Sequence, residues 1–380
     1  MRRLAVYIHI PFCIRKCLYC DFNSYALSGL IVDEFVEAVI KEIADCPYQN
    51  SVVPSIFFGG GTPTVLSGEQ LARILQAINN NFTVENEVEI TAEANPGTVD
   101  LSKLQSMRKA GFNRLSFGVQ SFDDEELKRI GRIHSSQEAV EAVELARSAG
   151  FDNLNLDLIF GLPEQTLSLW ESNIKQAIDL APEHLALYDL ILEPNTAFYK
   201  RSKRGTLKLP VEDDEMAMLE TSMIMASQAG FEQYEVSNYA KSGCQSRHNL
   251  VYWHNQEYIG FGPGAVSYVD NIRWKNLKYP RRYIDRMASG QSIVGTKESL
   301  SRMESLGETI MLGLRLASGI QVSELESRYD LPVRKIIEPV IGKEMHRGHL
   351  EYDGNNLRLT HSGLLFANDV TNEFLAVIQL

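Results

Sequence analysis

Three cysteines near the start of the chain stand close enough together to bind one inorganic cluster. Cys13, Cys17 and Cys20 follow one another with three and two residues between them. Three thiolates on one short loop can ligate three irons of a [4Fe–4S] cluster, which leaves the fourth iron open to chelate a substrate or cofactor. The spacing therefore predicts a cluster that takes part in chemistry and does not only stabilise the fold.

Two other uses of these cysteines need to be weighed. A disulfide framework is disfavoured because the chain has five cysteines, an odd number, and is neither small nor visibly secreted. A zinc site of three cysteines completed by His9 stays open, although structural zinc sites usually draw their ligands from two separated segments. The cysteine loop alone favours the cluster over zinc.

Composition and charge indicate a globular chain of about two domains. Of its 380 residues, 44% are hydrophobic and 23% are charged, as in water-soluble proteins. No apolar stretch approaches the ~20 residues of a membrane helix, and the first apolar run is too short for a signal peptide, so we expect a cytoplasmic protein. The net charge of −12 argues against nonspecific binding to nucleic acid.

The first half of the chain alternates short apolar runs with segments of helical periodicity. This alternation predicts an α/β fold in which helices cover a parallel sheet. Six such units are too few for the full eight-unit barrel, so we expect a partial (βα)6 barrel. The predicted strands are 4–10, 55–58, 87–93, 114–118, 153–159 and 184–190, and the predicted helices are 32–43, 68–79, 101–110, 136–149 and 167–181.

The second half of the chain changes to a mainly helical pattern. Predicted helices at 302–318, 321–329 and 333–346 precede two short strands around a turn at 353–355, after which a last helix starts at Thr360. This order resembles an α+β winged-helix-like domain, but no helix is rich in Arg and Lys, which favours packing or partner docking over DNA binding. We therefore divide the chain into a barrel at 1–235, a connecting region at 236–298 and a C-terminal domain at 299–380.

Glycines and polar residues stand at the ends of the predicted strands, where the functional residues of barrels gather. A glycine run after the second strand lets the backbone approach a ligand closely. Acidic, amide and cationic side chains follow the next strands and are suited to bind the amine, hydroxyl and carboxylate groups of a ligand. Taken singly, each is equally well explained as an ordinary polar residue at a strand end. These residues are Gly59, Gly60, Gly61, Glu93, Gln120, Arg132 and Asp157.

Together, the CxxxCxxC loop and the glycine run resemble the radical S-adenosylmethionine (SAM) superfamily. From Tyr7 to the C-terminal domain, the chain is similar to the branch that contains coproporphyrinogen dehydrogenases and HemW-type haem chaperones. The resemblance implies a [4Fe–4S] cluster on the three cysteines and SAM beside it, with its amino group against the glycine backbone. The residues implied to contact SAM are Tyr7, Tyr19, Gly60, Gly61, Thr62, Glu93, Gln120, Arg132 and Asp157.

Two departures from the dehydrogenase pattern distinguish the members of this branch. The dehydrogenases carry another cysteine two positions after the third, where this chain has Phe22. They also have an N-terminal extension ahead of the first strand, whereas this sequence begins almost at that strand. Both departures favour the haem chaperone over the dehydrogenase.

A histidine with aromatic neighbours is the candidate haem contact. The motif HNxxYW, formed by His248, Asn249, Tyr252 and Trp253, resembles the signature of the HemW-type chaperones. An imidazole can ligate haem iron, and two aromatic rings can lie against the macrocycle. Without the resemblance, a buried structural histidine beside packing aromatics would be the better interpretation. With it, His248 is the predicted ligand and His254 a weaker alternative.

The resemblance implies a protein that binds haem and passes it to apo-haem proteins such as respiratory cytochromes. An oxygen-independent coproporphyrinogen III dehydrogenase is the alternative, and a zinc-binding regulatory protein is a more distant one. The cationic and aromatic stretch at 273–283 is a candidate for holding haem propionates or touching a membrane surface, although such runs are more often solvated faces. Formation of a homodimer stays open.

Overall fold

The structure, a computed structural model, describes residues 1–27 and 31–378. Its strands, in chain order, are β1 (Ala5–Ile10), β2 (Phe12–Cys13), β3 (Tyr25–Ala26), β4 (Val52–Gly60), β5 (Thr83–Ala94), β6 (Arg114–Gln120), β7 (Leu154–Phe160), β8 (His184–Asp189), β9 (Glu232–Gln233), β10 (Asn238–Ala240), β11 (Tyr258–Phe261), β12 (Val266–Val269), β13 (Ile272–Asn276), β14 (Val294–Ser299), β15 (Ile320–Gln321), β16 (Leu350–Tyr352) and β17 (Asn356–Leu359).

Fifteen α-helices accompany these strands in the described part of the chain. They are α1 (Val32–Ala44), α2 (Gly68–Asn81), α3 (Leu101–Ala110), α4 (Asp124–Ile130), α5 (Ser136–Ser148), α6 (Leu167–Asp179), α7 (Ala197–Lys203), α8 (Glu212–Gln228), α9 (Arg247–Trp253), α10 (Pro280–Ala288), α11 (Arg302–Gly313), α12 (Val322–Tyr329), α13 (Val333–His346), α14 (His361–Leu365) and α15 (Ala367–Ile378). None of those described is both long enough and apolar enough to cross a membrane.

The predicted α/β fold is confirmed. Strands β1, β4, β5, β6, β7 and β8 are adjacent in that order and parallel throughout. They correspond to the six predicted strands, and α1, α2, α3, α5 and α6 correspond to the predicted helices. The sheet stays open, with β14 and β9 at its two edges, and forms the partial barrel.

Side-chain alternation along the strands separates a core from a cavity. In β6, Leu115, Phe117 and Val119 are buried in the core between sheet and helices. Arg114 and Ser116, on the opposite face of the same strand, line a cavity inside the barrel. Successive side chains of a strand point to opposite faces of the sheet, so each barrel strand contributes to both.

Residues 236–298 extend the barrel sheet at both ends. Strand β10 pairs antiparallel with β8 at one end, whereas β11 pairs parallel with β1 at the other. Strands β12, β13 and β14 then continue the sheet antiparallel. The predicted division at 235 and 298 remains a prediction.

The C-terminal domain has the predicted winged-helix-like order of elements. Helices α11, α12 and α13 surround a separate core with the three-stranded sheet β15-β17-β16. The helix predicted over 302–318 ends earlier, at Gly313. The following backbone pairs with the barrel side, since the Ala317 N–H donates to the Tyr234 carbonyl at 3.0 Å. The last two residues of the predicted domain, 379 and 380, lie outside the described ranges.

Candidate functional site

A cavity of about 550 Å³ lies inside the barrel, and the cysteine loop forms part of its wall. The wall contains Cys13, Cys17 and Cys20, every residue that was predicted to contact SAM, and three of the four HNxxYW residues. Within the described residues, three candidates do not line it: Trp253, which is the last residue of α9, Gly59, and the weaker haem candidate His254. The predicted cluster, SAM and haem residues thus share one cavity.

The cysteine loop is anchored at both ends by a small parallel pairing. Strand β2 pairs with β3, which places Cys13 beside Ala26, and the Leu27 N–H donates to the Cys13 carbonyl at 2.9 Å. Cys13 is 8% exposed, whereas Cys17 and Cys20 are half-buried. All three are free thiols on a loop of fixed ends.

The thiols do not converge on one point, as ligation of a single metal ion by all three would require. His9, the proposed fourth zinc ligand, has both ring nitrogens engaged, Nδ1 with the Tyr7 hydroxyl at 3.1 Å and Nε2 with the Asn23 carbonyl at 2.9 Å. Among the described residues, no three His, Cys, Asp or Glu side chains converge tightly enough to share one ion. A single zinc would draw all sulfurs to about 2.3 Å from one point, whereas a cube binds each thiolate at a different iron.

The glycine run is fastened to the start of the cysteine loop. The Gly61 N–H donates to the Ile10 carbonyl at 2.7 Å, and the Thr62 N–H donates to the Phe12 carbonyl at 2.8 Å. The Gly60 N–H donates to Glu93 Oε2 at 3.0 Å. A protonated ligand amino group donates hydrogen bonds, so the backbone here would meet it through carbonyl oxygens.

Gly60 has a conformation and a packing that only glycine satisfies. Its φ is +109°, and a Cβ built on it would lie 2.5 Å from the His9 ring. Left-handed backbone of this kind favours glycine. The close approach of the end of strand β4 to His9 of β1 therefore depends on this residue.

Two half-buried carboxyl groups on the cavity wall, those of Glu93 and Asp157, have raised pKa values. Burial, reinforced by the charge of Asp157, raises the pKa of Glu93 to about 8. Burial also raises the pKa of Asp157 to about 6, opposed by hydrogen bonds from Asn155 and Ser116 and by the charges of Arg114 and Arg132. Both groups would ionise more readily next to a cationic ligand.

Gln120 and Arg132 line the cavity from positions outside regular strand or helix geometry. Gln120 has a positive φ of 72° beside a register shift in the pairing of β6 with β7, which redirects the strand end. Arg132 follows α4, a helix that was not predicted. Its guanidinium donates to Cys17 Sγ at 3.5 Å, to the Gly118 carbonyl and to the side chain of Asn95, so the predicted SAM arginine also supports the cysteine loop.

Helix α9 carries the HNxxYW motif and is held to the barrel by a buried glutamate. The Arg247 and His248 N–H groups donate to the Glu89 carboxylate at 3.0 and 3.1 Å. His248 is 1% exposed, with Nδ1 hydrogen-bonded to Ser55 Oγ and Nε2 to the Tyr252 hydroxyl, both at 3.0 Å. Burial lowers the pKa of His248 to about 3, so the ring is neutral.

Sequence reasoning missed several polar residues of the cavity wall. The signal that could have found them is a polar residue at alternate positions within an apolar strand, because such a residue must face the inside of the barrel. Asn95 follows the end of β5, beside Glu93, and was also missed. The missed residues include Asn95, Arg114, Ser116, Asn155, His184 and Asn238.

Two of the five cations in the cationic and aromatic stretch at 273–283 form ion pairs within the protein. Arg273 forms ion pairs with Glu298 and Glu308, and Arg281 pairs with Glu34. The charges of Arg273 and Arg281 are therefore balanced by carboxylates of the protein itself and need no bound ligand. His254 is exposed and lies outside the cavity wall.

Comparisons with known proteins identify the family. The sequence profile of the radical SAM superfamily matches residues 7–177, and that of the HemN C-terminal domain matches residues 300–366. The chain is 38% identical to the heme chaperone HemW of Bacillus subtilis, with 98% of this chain and 99% of that protein covered. The HemW protein of Escherichia coli is also 38% identical, with 98% of each chain covered. This chain belongs to the HemW family.

The fold of this HemW-family chain is shared with a solved structure of the same superfamily. Coproporphyrinogen III oxidase (HemN) from Escherichia coli superposes with a TM-score of 0.86, covering 98% of this chain and 90% of that one at 24% identity. Phe22, where the dehydrogenases carry a further cysteine, lines the cavity and is 61% exposed. The Phe22 carbonyl accepts a hydrogen bond from Lys16 Nζ at 2.8 Å, so this part of the loop belongs to the cavity wall.

Proposed function

We propose that this protein is a haem chaperone that binds haem and passes it to apo-haem proteins, respiratory cytochromes among them. The full-length likeness to proteins named heme chaperone HemW supports the proposal. The observation that carries it is that His248, Asn249 and Tyr252 line the same cavity as the three cysteines. The haem motif therefore faces the cofactor residues instead of lying on a separate surface.

The cofactors in this proposal are a [4Fe–4S] cluster and SAM. Cys13, Cys17 and Cys20 would ligate three irons, and the open fourth iron can chelate the amino and carboxylate groups of SAM. Arg132 supports the loop through Cys17, and Glu93 offers a carboxylate to the cationic part of SAM. The remaining SAM contacts are those predicted on the cavity wall: Tyr7, Tyr19, Gly60, Gly61, Thr62, Gln120 and Asp157.

The protein would act in the cytoplasm, where the free thiols stay reduced. Haem is its cargo, and an apo-haem protein is the recipient. The net charge of −12 argues against a nucleic-acid partner. Contact with a membrane surface would be peripheral, and a homodimer is compatible with the exposed edge strand β14.

An anaerobic experiment with two arms separates the chaperone from a dehydrogenase. After reconstitution of the cluster, one sample receives haemin, and a second receives coproporphyrinogen III with SAM and a reductant. We expect stable haem binding, seen as a shifted Soret band, and no protoporphyrinogen in the second sample. Turnover of coproporphyrinogen would overturn the proposal.

Two histidine variants test the haem ligand. His248→Ala removes the cavity histidine, and His254→Ala removes the exposed histidine outside the wall. We expect loss of the native Soret spectrum only in the first variant, measured at a temperature at which circular dichroism shows both variants folded. If both variants kept the native Soret spectrum, His248 would be excluded as the haem ligand.

A further inference from the structure

Arg114 is a buried arginine on the cavity wall without an ion-pair partner. Its side chain is on the inner face of β6 and lines the cavity, and the residue is 2% exposed. Its Nε atom is buried and lacks a hydrogen-bond partner. No carboxylate of the described chain lies within ion-pairing distance of its guanidinium, although the charge of Arg114 is felt by Asp157. Burying a guanidinium charge without a counter-charge destabilises the folded protein, and a bound anionic ligand would remove that cost.

The polar groups around Arg114 are already satisfied by one another. His184 Nδ1 is hydrogen-bonded to Asn155 Oδ1 at 2.5 Å, and its Nε2 to the Tyr234 hydroxyl at 2.8 Å. Asn155 Nδ2 donates to Ser116 Oγ at 2.7 Å. Burial and the charge of Arg114 lower the pKa of His184 well below its usual value, so this ring is neutral. Asn155 and Ser116 also donate to the Asp157 carboxylate, and Arg114 is the cation of the group, with its Nε unpaired.

We propose that Arg114 forms a subsite for a carboxylate of the molecule that enters this cavity, namely a propionate of haem. The inference rests on the proposed haem function and specifies where the cargo's acidic groups bind. A planar guanidinium pairs with a carboxylate through two parallel hydrogen bonds. A single guanidinium suits a singly charged carboxylate better than a phosphate, because Asp157, which accepts hydrogen bonds from Asn155 and Ser116 and whose charge interacts with that of Arg114, already supplies negative charge to this part of the wall.

The other cations of the wall are less suited to this task. Arg132 is committed to Cys17, Asn95 and Gly118. Arg15 and Lys16 are exposed to solvent, which weakens their pairing with a carboxylate. The carboxylate of SAM has the same chemistry as a propionate, so an experiment must separate these two sources.

The test compares haemin with its dimethyl ester, in which the propionates are masked and the iron is kept. On the wild-type protein, we expect haemin to bind about 10-fold to about 100-fold more tightly than the ester, the range for a charge-assisted hydrogen bond. Arg114→Gln should bind both compounds alike, and Arg114→Lys should restore part of the difference. The control Arg108→Gln, which removes an exposed arginine of α3, should behave as wild type. The dissociation constant of SAM should stay unchanged in all variants.

Each result decides the inference. Equal affinity of the wild type for haemin and ester would overturn it, even if Arg114→Gln failed to fold. Loss of SAM affinity in Arg114→Gln with the ester discrimination intact would assign the carboxylate to SAM and also overturn it. Absence of any haemin binding by the wild type would reject the proposed haem function itself, which is a separate outcome from equal binding of the two compounds.

Discussion

His248 Nε2 lies 3.0 Å from the hydroxyl oxygen of Tyr252, one helical turn further along α9. The other ring nitrogen, Nδ1, is hydrogen-bonded to the Ser55 hydroxyl. A neutral imidazole has one nitrogen lone pair, and here that lone pair accepts one of the two hydrogen bonds, so it is not free to ligate an iron. In this structure His248 is a buried histidine with both ring nitrogens hydrogen-bonded. Haem ligation by His248 requires the hydrogen bond to Tyr252 to be exchanged for the iron.

Tyr252→Phe tests this exchange because it removes the hydroxyl and keeps the ring. A hydrogen bond of this kind contributes about 1 kcal/mol, so haem affinity should rise by up to about fivefold in a Soret titration. Tyr352→Phe, in the C-terminal domain, removes another tyrosine hydroxyl bond and should leave the affinity unchanged. A fall in affinity with an unchanged melting temperature would mean that the hydroxyl itself contacts haem.

SAM affinity should increase with pH because of Glu93. In the ligand-free protein the pKa of Glu93 is about 8, so its carboxyl is mostly protonated at neutral pH. A cationic ligand favours the ionised form, and binding below pH 8 must release this proton. Affinity should therefore rise between about pH 6 and pH 8, by at most about tenfold per pH unit, and then level off.

Isothermal titration calorimetry in buffers of different ionisation enthalpy measures this proton release directly. At pH 7 the reconstituted wild type should release a proton on binding SAM, and Glu93→Gln should release fewer. Asp157, whose pKa is about 6, contributes at lower pH. An affinity that falls as the pH rises from 6 to 8 would contradict this role.

Gly60→Ala should disrupt the cluster site. The added methyl group meets the His9 ring at 2.5 Å in a left-handed backbone, so a loss of about 2–4 kcal/mol in unfolding free energy is expected. Iron and sulfide analysis after reconstitution should show reduced cluster content. Gly342→Ala, in α13 with nothing within 4 Å of the new methyl, serves as control. Full cluster content in Gly60→Ala would show that the glycine is dispensable.

Glu89 positions the haem motif without lining the cavity. Glu89→Ala leaves the first N–H groups of α9 without their acceptor, which should cost about 1–3 kcal/mol of stability. The native Soret spectrum should broaden because His248 loses its fixed orientation. Glu87→Ala removes an exposed carboxylate of the same strand and should change neither property. An unchanged spectrum in Glu89→Ala would rule out this positioning role.

The barrel could be predicted because each element carries its own signal. The six strands are apolar runs between helical repeats, and their ends bear the polar residues that meet at one edge of the sheet. The cysteines and Glu93 were found from local sequence alone. Helix α4 was missed, although Asp123 caps it and Gly131 ends it.

Contacts between distant parts of the chain were not predictable. The hydrogen bond from the His248 N–H to the Glu89 carboxylate joins residues 159 positions apart. Neither segment carries a sequence pattern that would predict contact with the other. For the same reason, the sequence did not show that both ring nitrogens of His248 are hydrogen-bonded. It also did not show that Nε of Arg114 lacks a hydrogen-bond partner. Trp253 was included through the motif, whereas the helix places it outside the cavity wall.

Haem transfer kinetics distinguish a chaperone from a protein that only binds haem. Haem-loaded protein with its cluster reconstituted is mixed anaerobically with increasing concentrations of an apo-cytochrome b, and the acceptor's absorption spectrum is followed over time. A chaperone hands over haem within a complex, so the observed rate should rise with acceptor concentration and exceed the rate of spontaneous haem release. A rate equal to spontaneous release at every acceptor concentration would exclude direct haem transfer by this protein.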